Sequence, residues 1–278
     1  MKKKITVMAV YAAIFFVCAG YCRNSIEDTE PSRYSAAIET LEYQLGYENT
    51  YSTVFSTQDI ILRETLREEQ QVEETRTVYL TFDDGPSPRT EEILDILKKH
   101  DVKATFFVVI NKEEYIPYMK MAVEAGHAIG VHSASHKYKE IYRSVDDYLR
   151  DFTQCYDYIQ VNTGYSPTIF RFPGGSVNNY NASTRKDIVR EMGRRGFIYF
   201  DWNVESNDSS AGMSADAIYK NVIEGCSGKQ RAVIIMHDSV TKNTTVRALD
   251  RIITKLKEDG WQFAALDNEV KSVVFRMD

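Results

Sequence analysis

The stretch that decides the fold runs from Val78 to Gly85 and reads Val-Tyr-Leu-Thr-Phe-Asp-Asp-Gly. Its first five residues are β-branched, aromatic or aliphatic, and a short apolar run bounded by turn formers is typical of a buried strand. The run stops at two adjacent carboxylates, Asp83 and Asp84, before the turn formers Gly85 and Pro86. On its own this ending indicates only a turn. It also places two acids together at the end of a strand.

The pattern of a short apolar run followed by a helix-length amphipathic stretch repeats to the end of the chain. Helices are predicted over segments such as Glu91 to His100 and Val145 to Val161. Alternating strands and helices indicate an α/β fold with a parallel sheet, either a barrel or a doubly wound sheet. Right-handed crossovers would bring all strand C-terminal ends to one face. The seven predicted strands are Val78 to Phe82, Ala104 to Val109, Ala128 to His132, Thr168 to Phe172, Phe197 to Trp202, Ala232 to His237 and Gln262 to Leu266.

Almost every chemically versatile residue of this region falls at a predicted strand end. Each has an ordinary structural explanation when taken alone: two histidines four residues apart can lie on a surface turn, and an arginine or histidine after a strand can anchor a loop. Because all of them fall on one predicted rim, a shared functional site is the better interpretation. The residues are Asp83 and Asp84, His132 and His136, Arg171, Asp201 and Trp202, and His237 and Asp238.

The residue types at this rim suit one kind of chemistry. One carboxylate and two imidazoles can hold a divalent ion and leave positions open for water and a substrate oxygen. Because successive side chains of an extended strand point to opposite faces, one aspartate of the adjacent pair is expected to bind the ion and the other to face the water as a base. A histidine at another strand end can protonate a leaving group. Together these parts predict hydrolysis of an amide or an ester.

The same residues resemble the five ordered motifs of the NodB-type polysaccharide deacetylases, carbohydrate esterase family 4. The resemblance spans about residues 76 to 270. It implies a distorted (β/α) barrel with about seven parallel strands and a metal-dependent deacetylase of acetylated sugars. The motifs are Thr81-Phe82-Asp83-Asp84-Gly85, Gly126-His127 with His132-Ser133-Ala134-Ser135-His136, Arg171-Phe172-Pro173-Gly174-Gly175-Ser176, Asp201-Trp202-Asn203 and Ile235-Met236-His237-Asp238.

Carried over residue by residue, the resemblance implies a catalytic base, an acid and a metal site. Asp83 would be the base and His237 the general acid. The metal ligands would be Asp84, His132 and His136. The family's metal is typically zinc, so Zn²⁺ is the expected ion.

The resemblance also implies supporting and substrate-binding residues. Arg171 would orient and charge-pair the base, and Asp201 would tune the acid histidine. Gly174 and Gly175 stand where many family members carry an aromatic residue, so a side-chain contact with the sugar would be lost there. The expected substrate-binding positions are Trp202 in the sugar groove, Ile235 in the acetyl-methyl pocket, and Pro173 and Gly174 in the third motif. Apart from the resemblance, Tyr180 and Tyr199 lie near predicted strand ends and are candidates for sugar stacking, although Tyr199 fits a core position equally well.

The glycine-containing third motif is most similar to that of bacterial cell-wall deacetylases. The expected substrate is therefore an N-acetylated amino sugar in a cell-wall polysaccharide, and peptidoglycan is the leading hypothesis for that polysaccharide. Three alternatives stay open: a deacetylase of chitin oligomers, poly-N-acetylglucosamine or acetylated xylan; a non-catalytic carbohydrate-binding surface protein on the same fold; and, more weakly because no HExxH motif is present, a zinc peptidase or amidase. The sequence does not distinguish N-acetylglucosamine from N-acetylmuramic acid, nor does it indicate an oligomeric state.

The N-terminal part of the chain differs in composition from the rest. Lys2 to Lys4 precede an uncharged apolar run, Ile5 to Cys22, which indicates an export signal or a membrane anchor. Residues 1–22 are therefore interpreted as this segment, 23–75 as an acidic stalk and 76–278 as the deacetylase domain. The protein is expected at the cell surface or outside the cell, and attached to the membrane if the segment is not cleaved.

The net charge of the chain argues against one class of partner. The 278 residues carry a net charge of −6, which argues against binding nucleic acid through a general positive field. A neutral glycan needs no such field.

Beyond the N-terminal segment only Cys155 and Cys226 remain, and a disulfide between them is not favoured because two distant cysteines form no spacing pattern.

Overall fold

A computed structural model describes residues 75–276 of the chain. The predicted signal or anchor and nearly all of the predicted stalk lie outside the described residues, and the domain boundary at residue 76 stays a prediction. The strands are β1 Thr77–Asp83, β2 Thr105–Val109, β3 Ala128–Ser133, β4 Ile169–Phe170, β5 Ile198–Tyr199, β6 Val204–Glu205, β7 Arg231–His237 and β8 Gln262–Phe263. The helices are α1 Pro88–Lys99, α2 Ile116–Glu124, α3 Tyr138–Ile141, α4 Val145–Thr163, α5 Arg185–Arg194, α6 Ala215–Cys226 and α7 Asn243–Glu258, with a 3₁₀ turn at Glu113–Tyr115.

The strands form one parallel sheet with β1 near its centre. The order across the sheet is β5-β4-β3-β2-β1-β7-β6, and β8 pairs with the first residues of β1. β5 and β6 are consecutive in the chain but lie at opposite ends of this order. The described strands therefore curl into a half-barrel that is not closed by pairing between them. The predicted α/β fold, a distorted barrel of about seven parallel strands, is confirmed.

All seven predicted strands are present, but three are much shorter than predicted and one strand was missed. β4, β5 and β8 keep only two residues each, although just beyond β4 and β5 the N–H groups of Arg171 and Phe200 still donate to a neighbouring strand. The missed strand is β6, Val204–Glu205. A strand of two residues is too short to show the alternation that marks a strand in a sequence.

Both faces of the central strands are buried, which explains their continuous apolar runs. Val78, Leu80 and Phe82 of β1 belong to the main core, whereas Tyr79 belongs to a second cluster on the opposite face of the sheet. Asp83 shares the face of Tyr79, because side chains alternate along a strand. The members of the second cluster are Tyr79, Phe107, Ile169, Phe200, Val233 and Leu266.

The start of α1 is tied to the end of β7. The Ser87 hydroxyl accepts a hydrogen bond from Arg89 N at 3.0 Å, and Ser87 N donates to the Thr90 hydroxyl at 2.8 Å. Such a cap stabilises a helix by about 1 kcal/mol. The same two hydroxyls donate to the buried Asp238 carboxylate at 2.7 and 2.6 Å. These bonds fix the loop that follows Asp83 and Asp84.

Cys155 and Cys226 are both buried and both carry free thiols, so the disfavoured disulfide is absent from the structure. Burial raises the pKa of each thiol to about 12, which keeps both protonated and unreactive at neutral pH. Within residues 75–276, no helix combines the length and the apolar character needed to cross a membrane.

Candidate active site

Asp84, His132 and His136 come together at the C-terminal ends of β1 and β3. One potential ligand atom from each lies within 4.8 Å of the others. The Asp84 carboxylate is 3.3 Å from His136 Nε2 and 3.7 Å from His132 Nε2. One carboxylate and two imidazoles at this spacing form a donor set that fits a divalent transition-metal ion and leaves coordination positions open.

Asp84 reaches this cluster by a different backbone conformation from the one expected. The alternation of an extended strand was predicted to separate the two aspartates, but Asp84 has a φ of +73° and lies in the left-handed region, which aspartate tolerates better than most residues. The Asp83 carboxylate is 4.0 Å from His132 Nε2, so both acids face the same histidine. Asn111 Nδ2 donates to the carbonyls of Asp84 and Pro86 at 2.9 and 3.0 Å and holds this turn.

His132 is held in the tautomer that a metal ligand requires. Its Nδ1 lies 2.8 Å from the Arg171 carbonyl, which can only accept, so Nδ1 carries the proton and Nε2 is left free. Burial lowers the pKa of His132 to about 3, with the Asp84 charge acting in the opposite direction. The imidazole is therefore neutral at physiological pH, as metal binding requires.

His136 is positioned by Asp151, a residue that the sequence did not single out. Asp151, on α4, accepts hydrogen bonds from Ser133 Oγ at 2.6 Å, Ala134 N at 2.9 Å and Ser135 N at 2.8 Å. Ser133 Oγ in turn accepts from His136 N at 2.8 Å. Asp151 thus fixes the loop between the two histidines. In the sequence it reads as an ordinary acidic position of an amphipathic helix.

Asp83 and Arg171 form a buried ion pair. Arg171 Nη1 lies 2.9 Å from Asp83 Oδ1 and 2.7 Å from the Thr81 hydroxyl, and its guanidinium lies 4.3 Å from the centre of the Phe107 ring. Its other donors reach the carbonyls of Phe200 and Asp201. Burial raises the pKa of Asp83, and the charges of Arg171 and His237 counteract that rise. Arg171 therefore occupies the predicted position beside the candidate base.

His237 pairs with Asp208, and the predicted role of Asp201 in tuning this histidine is wrong. His237 Nδ1 donates to Asp208 Oδ1 at 2.7 Å, while Asp208 Oδ2 accepts from His237 N at 2.8 Å and from the Thr245 hydroxyl at 2.7 Å. Burial acts to lower the pKa of His237, but the hydrogen bond and charge of Asp208 outweigh it and the pKa is raised. In the sequence Asp208 stands in a polar stretch, Asn207 to Ser210, that indicates only a turn.

Asp201 instead ties two loops together. It is fully buried, and its carboxylate accepts hydrogen bonds from Ser176 N at 2.8 Å, the Ser176 hydroxyl at 2.5 Å and Phe275 N at 2.7 Å. Its geometry explains why it cannot serve His237, since these three donors occupy the carboxylate. The neighbouring Trp202 packs against Phe275 with ring centres 4.8 Å apart and lies 5.7 Å from the Arg171 guanidinium.

The remaining predicted substrate-binding residues differ in their exposure to solvent. Ile235 is 5% exposed and shares the face of β7 with His237. Pro173 is buried and Gly174 is exposed. Tyr199 packs against Phe170 and Phe172 at 5.8 and 5.3 Å and belongs to the core, not to a sugar surface. Tyr180, by contrast, is 50% exposed.

A metal-binding donor set, a buried carboxylate paired with arginine and a histidine paired with a carboxylate lie at one rim of a parallel α/β half-barrel. This combination defines a metal-dependent hydrolase.

Comparison with known proteins names the family. The polysaccharide deacetylase family model matches residues 70–197. A peptidoglycan-N-acetylglucosamine deacetylase of Bacillus cereus is 34% identical over 202 residues, covering 70% of this chain and 71% of that protein. The chain belongs to the polysaccharide deacetylase family and is a hydrolase, as the motif resemblance implied.

Solved structures agree with this assignment. The catalytic domain of peptidoglycan N-acetylglucosamine deacetylase from Eubacterium rectale is similar with a TM-score of 0.70 and 35% identity, covering 73% of this chain and 94% of that one. The polysaccharide deacetylase Bc1974 from Bacillus cereus gives a TM-score of 0.63 at 32% identity, covering 72% and 96%.

Proposed function

We propose that this protein is an exported, zinc-dependent deacetylase that removes acetyl groups from N-acetylated amino sugars of peptidoglycan. The observation that carries the proposal is the arrangement of Asp83 and His237 beside the Asp84–His132–His136 donor set. The two strands that bear them pair directly, with Asp83 opposite His237 in the ladder. A base and an acid are thus available at one substrate carbonyl.

The residues divide the reaction between them. An ion bound by Asp84, His132 and His136 would act as a Lewis acid on the acetyl carbonyl and promote ionisation of water. Asp83, paired with Arg171, is positioned to accept the proton of the attacking water as the water oxygen bonds to the acetyl carbon. His237 then donates a proton to the amine nitrogen as the carbon–nitrogen bond breaks, which releases acetate and the free amine.

The pairing of His237 selects the atom that donates. Because Nδ1 is hydrogen-bonded to Asp208, the proton for the leaving amine must come from Nε2. The raised pKa of His237, caused mainly by Asp208, favours the imidazolium form that this step needs. Within the described residues Gly174 N–H has no hydrogen-bond acceptor, so this exposed group is available to the oxyanion that forms on the acetyl oxygen.

Two observations support the wall polysaccharide as substrate. The relatives from Bacillus cereus and Eubacterium rectale are peptidoglycan N-acetylglucosamine deacetylases and cover most of the described chain. The three lysines and the uncharged segment at the N-terminus favour export to the compartment that holds the wall. Zinc is proposed because neutral imidazoles and a carboxylate are typical catalytic zinc ligands.

The test is acetate release by the purified full-length chain. Peptidoglycan, N-acetylglucosamine oligomers and acetylated xylan are each assayed with added zinc, with a chelator, and with the Asp83→Asn variant. We expect release from peptidoglycan and from the amino-sugar oligomers, loss of release with chelator, recovery with zinc, and at least a hundredfold lower rate in Asp83→Asn.

The competing functions predict different results. Release from xylan alone would replace peptidoglycan with an O-acetylated polymer as the substrate. Chelator-insensitive release, or full activity of Asp83→Asn, would contradict the mechanism. Zinc binding without acetate release from any of the polymers would favour a non-catalytic carbohydrate-binding protein.

A further inference from the structure

Two tyrosines extend from the metal-ligand cluster toward solvent. The Tyr138 ring lies edge-on to the His136 ring, with centres 5.2 Å apart and planes at 69°. Tyr180 lies beyond it, with ring centres 5.4 Å apart and planes at 31°. Tyr138 is half-buried, and Tyr180 is 50% exposed. The pair therefore forms a short aromatic surface that begins at a metal ligand and ends in water.

Gly174 leaves the space that Tyr138 occupies. A Cβ built on Gly174 would lie 2.7 Å from Tyr138 Cε1 and 3.3 Å from the Tyr138 hydroxyl oxygen. Gly174 also has a φ of +75°, which disfavours any other residue. At residue 174 the third motif therefore brings backbone, and no side chain, against the Tyr138 ring. The contact that the sequence predicted to be lost at residue 174 has a candidate replacement in Tyr138.

The segments that carry the two tyrosines are both hydrogen-bonded to the loop that carries Gly174. Tyr142 is 3% exposed, and its ring centre lies 6.2 Å from that of Tyr138. The Tyr142 hydroxyl donates a hydrogen bond to the Pro173 carbonyl at 2.8 Å. On the other side, Asn178 Oδ1 accepts from Tyr180 N at 2.8 Å. Asn178 Nδ2 also donates to the Gly175 carbonyl at 3.0 Å. These contacts fix the chain segments beside the two rings, so a ligand would have less to order on binding.

The chemistry of this surface fits a sugar ring. A pyranose presents C–H groups on its face and hydroxyls at its edge, and a tyrosine offers an apolar ring with a polar hydroxyl. We propose that Tyr138 and Tyr180 form a pyranose-binding subsite next to the acetyl site, which takes the sugar adjacent to the one being deacetylated. This inference rests on the proposed function, since it assigns that enzyme a polymeric substrate longer than one sugar.

The experiment measures sugar binding apart from catalysis. Full-length protein carrying Asp83→Asn is titrated with N-acetylglucosamine tetramer in the presence of zinc by calorimetry. Tyr180→Ala is added to this background, because Tyr180 is exposed and its loss leaves the core intact. We expect Tyr180→Ala to weaken the tetramer Kd by about five- to tenfold, and Tyr180→Phe, which keeps the ring, to stay within about twofold.

Tyr219→Ala is the matched control. Tyr219 is also a partly exposed tyrosine, but it packs on Arg251 of α7 at 4.5 Å in the helical layer. Its loss should leave the tetramer Kd unchanged. The subsite would be overturned if the parent and Tyr180→Ala bound the tetramer with equal affinity, or if Tyr219→Ala lost as much affinity as Tyr180→Ala. It would also be overturned if Tyr180→Phe bound as weakly as Tyr180→Ala, or if the parent did not bind the tetramer.

Acetate release by protein with Asp83 intact separates this inference from the proposed function. If acetate is released but tetramer binding ignores Tyr180, the enzyme function stands and the subsite is wrong. If tetramer binding depends on Tyr180 but no acetate is released, the subsite stands and the deacetylase function fails.

Discussion

Replacing Asp208 by asparagine should separate the carboxylate that tunes His237 from the one that the sequence suggested. The change keeps the shape of the side chain but removes its charge. Asp208 receives hydrogen bonds from His237 Nδ1, His237 N and the Thr245 hydroxyl, all at 2.7 to 2.8 Å. The variant therefore removes the charge beside the imidazole while leaving most of the packing.

The sign of the effect follows from the direction of the pKa shift. Asp208 raises the pKa of His237 against the opposing effect of burial, so Asp208→Asn should lower that pKa. As pH rises, the protonated acid is lost earlier in the variant. The alkaline limb of the profile of kcat/KM against pH should therefore move to lower pH.

The magnitude follows from the kind of hydrogen bond that is weakened. A hydrogen bond to a charged group contributes about 1.5–3 kcal/mol. Because about 1.4 kcal/mol corresponds to a tenfold change in rate, kcat/KM should fall by about 10- to 100-fold at neutral pH. The loss should shrink as the pH is lowered, until the variant histidine is again protonated.

Asp201→Asn is the control for this experiment. Its carboxylate receives three donors from Ser176 and Phe275, so an amide must place an N–H against one of them. We expect a lower melting temperature, from a loss of about 1–3 kcal/mol, with no movement of the alkaline limb. A limb that moves in Asp201→Asn and stays in Asp208→Asn would refute the assignment, and a limb unmoved in both would refute His237 as the acid.

Three further outcomes follow from the structure. Asp151→Asn should weaken zinc binding by about 10- to 100-fold in calorimetry, because it loosens the loop between the ligand histidines. Cys155 and Cys226 should resist a thiol reagent in the native protein and react after denaturation, since both are buried; modification without unfolding would contradict their burial. Gly85→Ala should destabilise the fold by about 1–3 kcal/mol in denaturant unfolding, because its Cβ would lie 2.4 Å from the anchored Asp238 carboxylate. Unchanged stability would show that Asp238 can move.

The sequence predicted the sheet from its buried strands and the metal-ligand cluster from the residues at their C-terminal ends. Long buried runs such as β1 and β7 are visible as continuous apolar segments, and parallel pairing carries their C-terminal residues to one rim. Asp83, Asp84, His132, His136 and His237 are all found together for this reason. The short strands β4, β5 and β6 depend on pairing with neighbours, so their limits do not appear in the local sequence.

The residues that position the site were harder to predict. Asp208 and Asp151 lie in a polar turn and on a helix, where an acid is the ordinary choice. The partners of the Asp208 carboxylate are 29 and 37 residues away, and those of Asp151 are 16 to 18 residues away. Nothing in local spacing links such pairs. Asp201 shows the opposite error, because a motif match placed it beside His237 when its buried carboxylate holds two loops.

The base and the acid are placed relative to each other by backbone pairing. β1 and β7 stay in parallel register from Thr77 opposite Arg231 to Asp83 opposite His237. A slip of one residue would turn one of the two side chains out of the barrel interior, so the register itself determines whether the chemistry is possible. Burial raises the pKa of Asp83 and His237 counteracts this, while Asp83 also acts to raise the pKa of His237. Each charge favours the protonation state that the other partner needs, a carboxylate as base and an imidazolium as acid, and this mutual support depends on one continuous ladder.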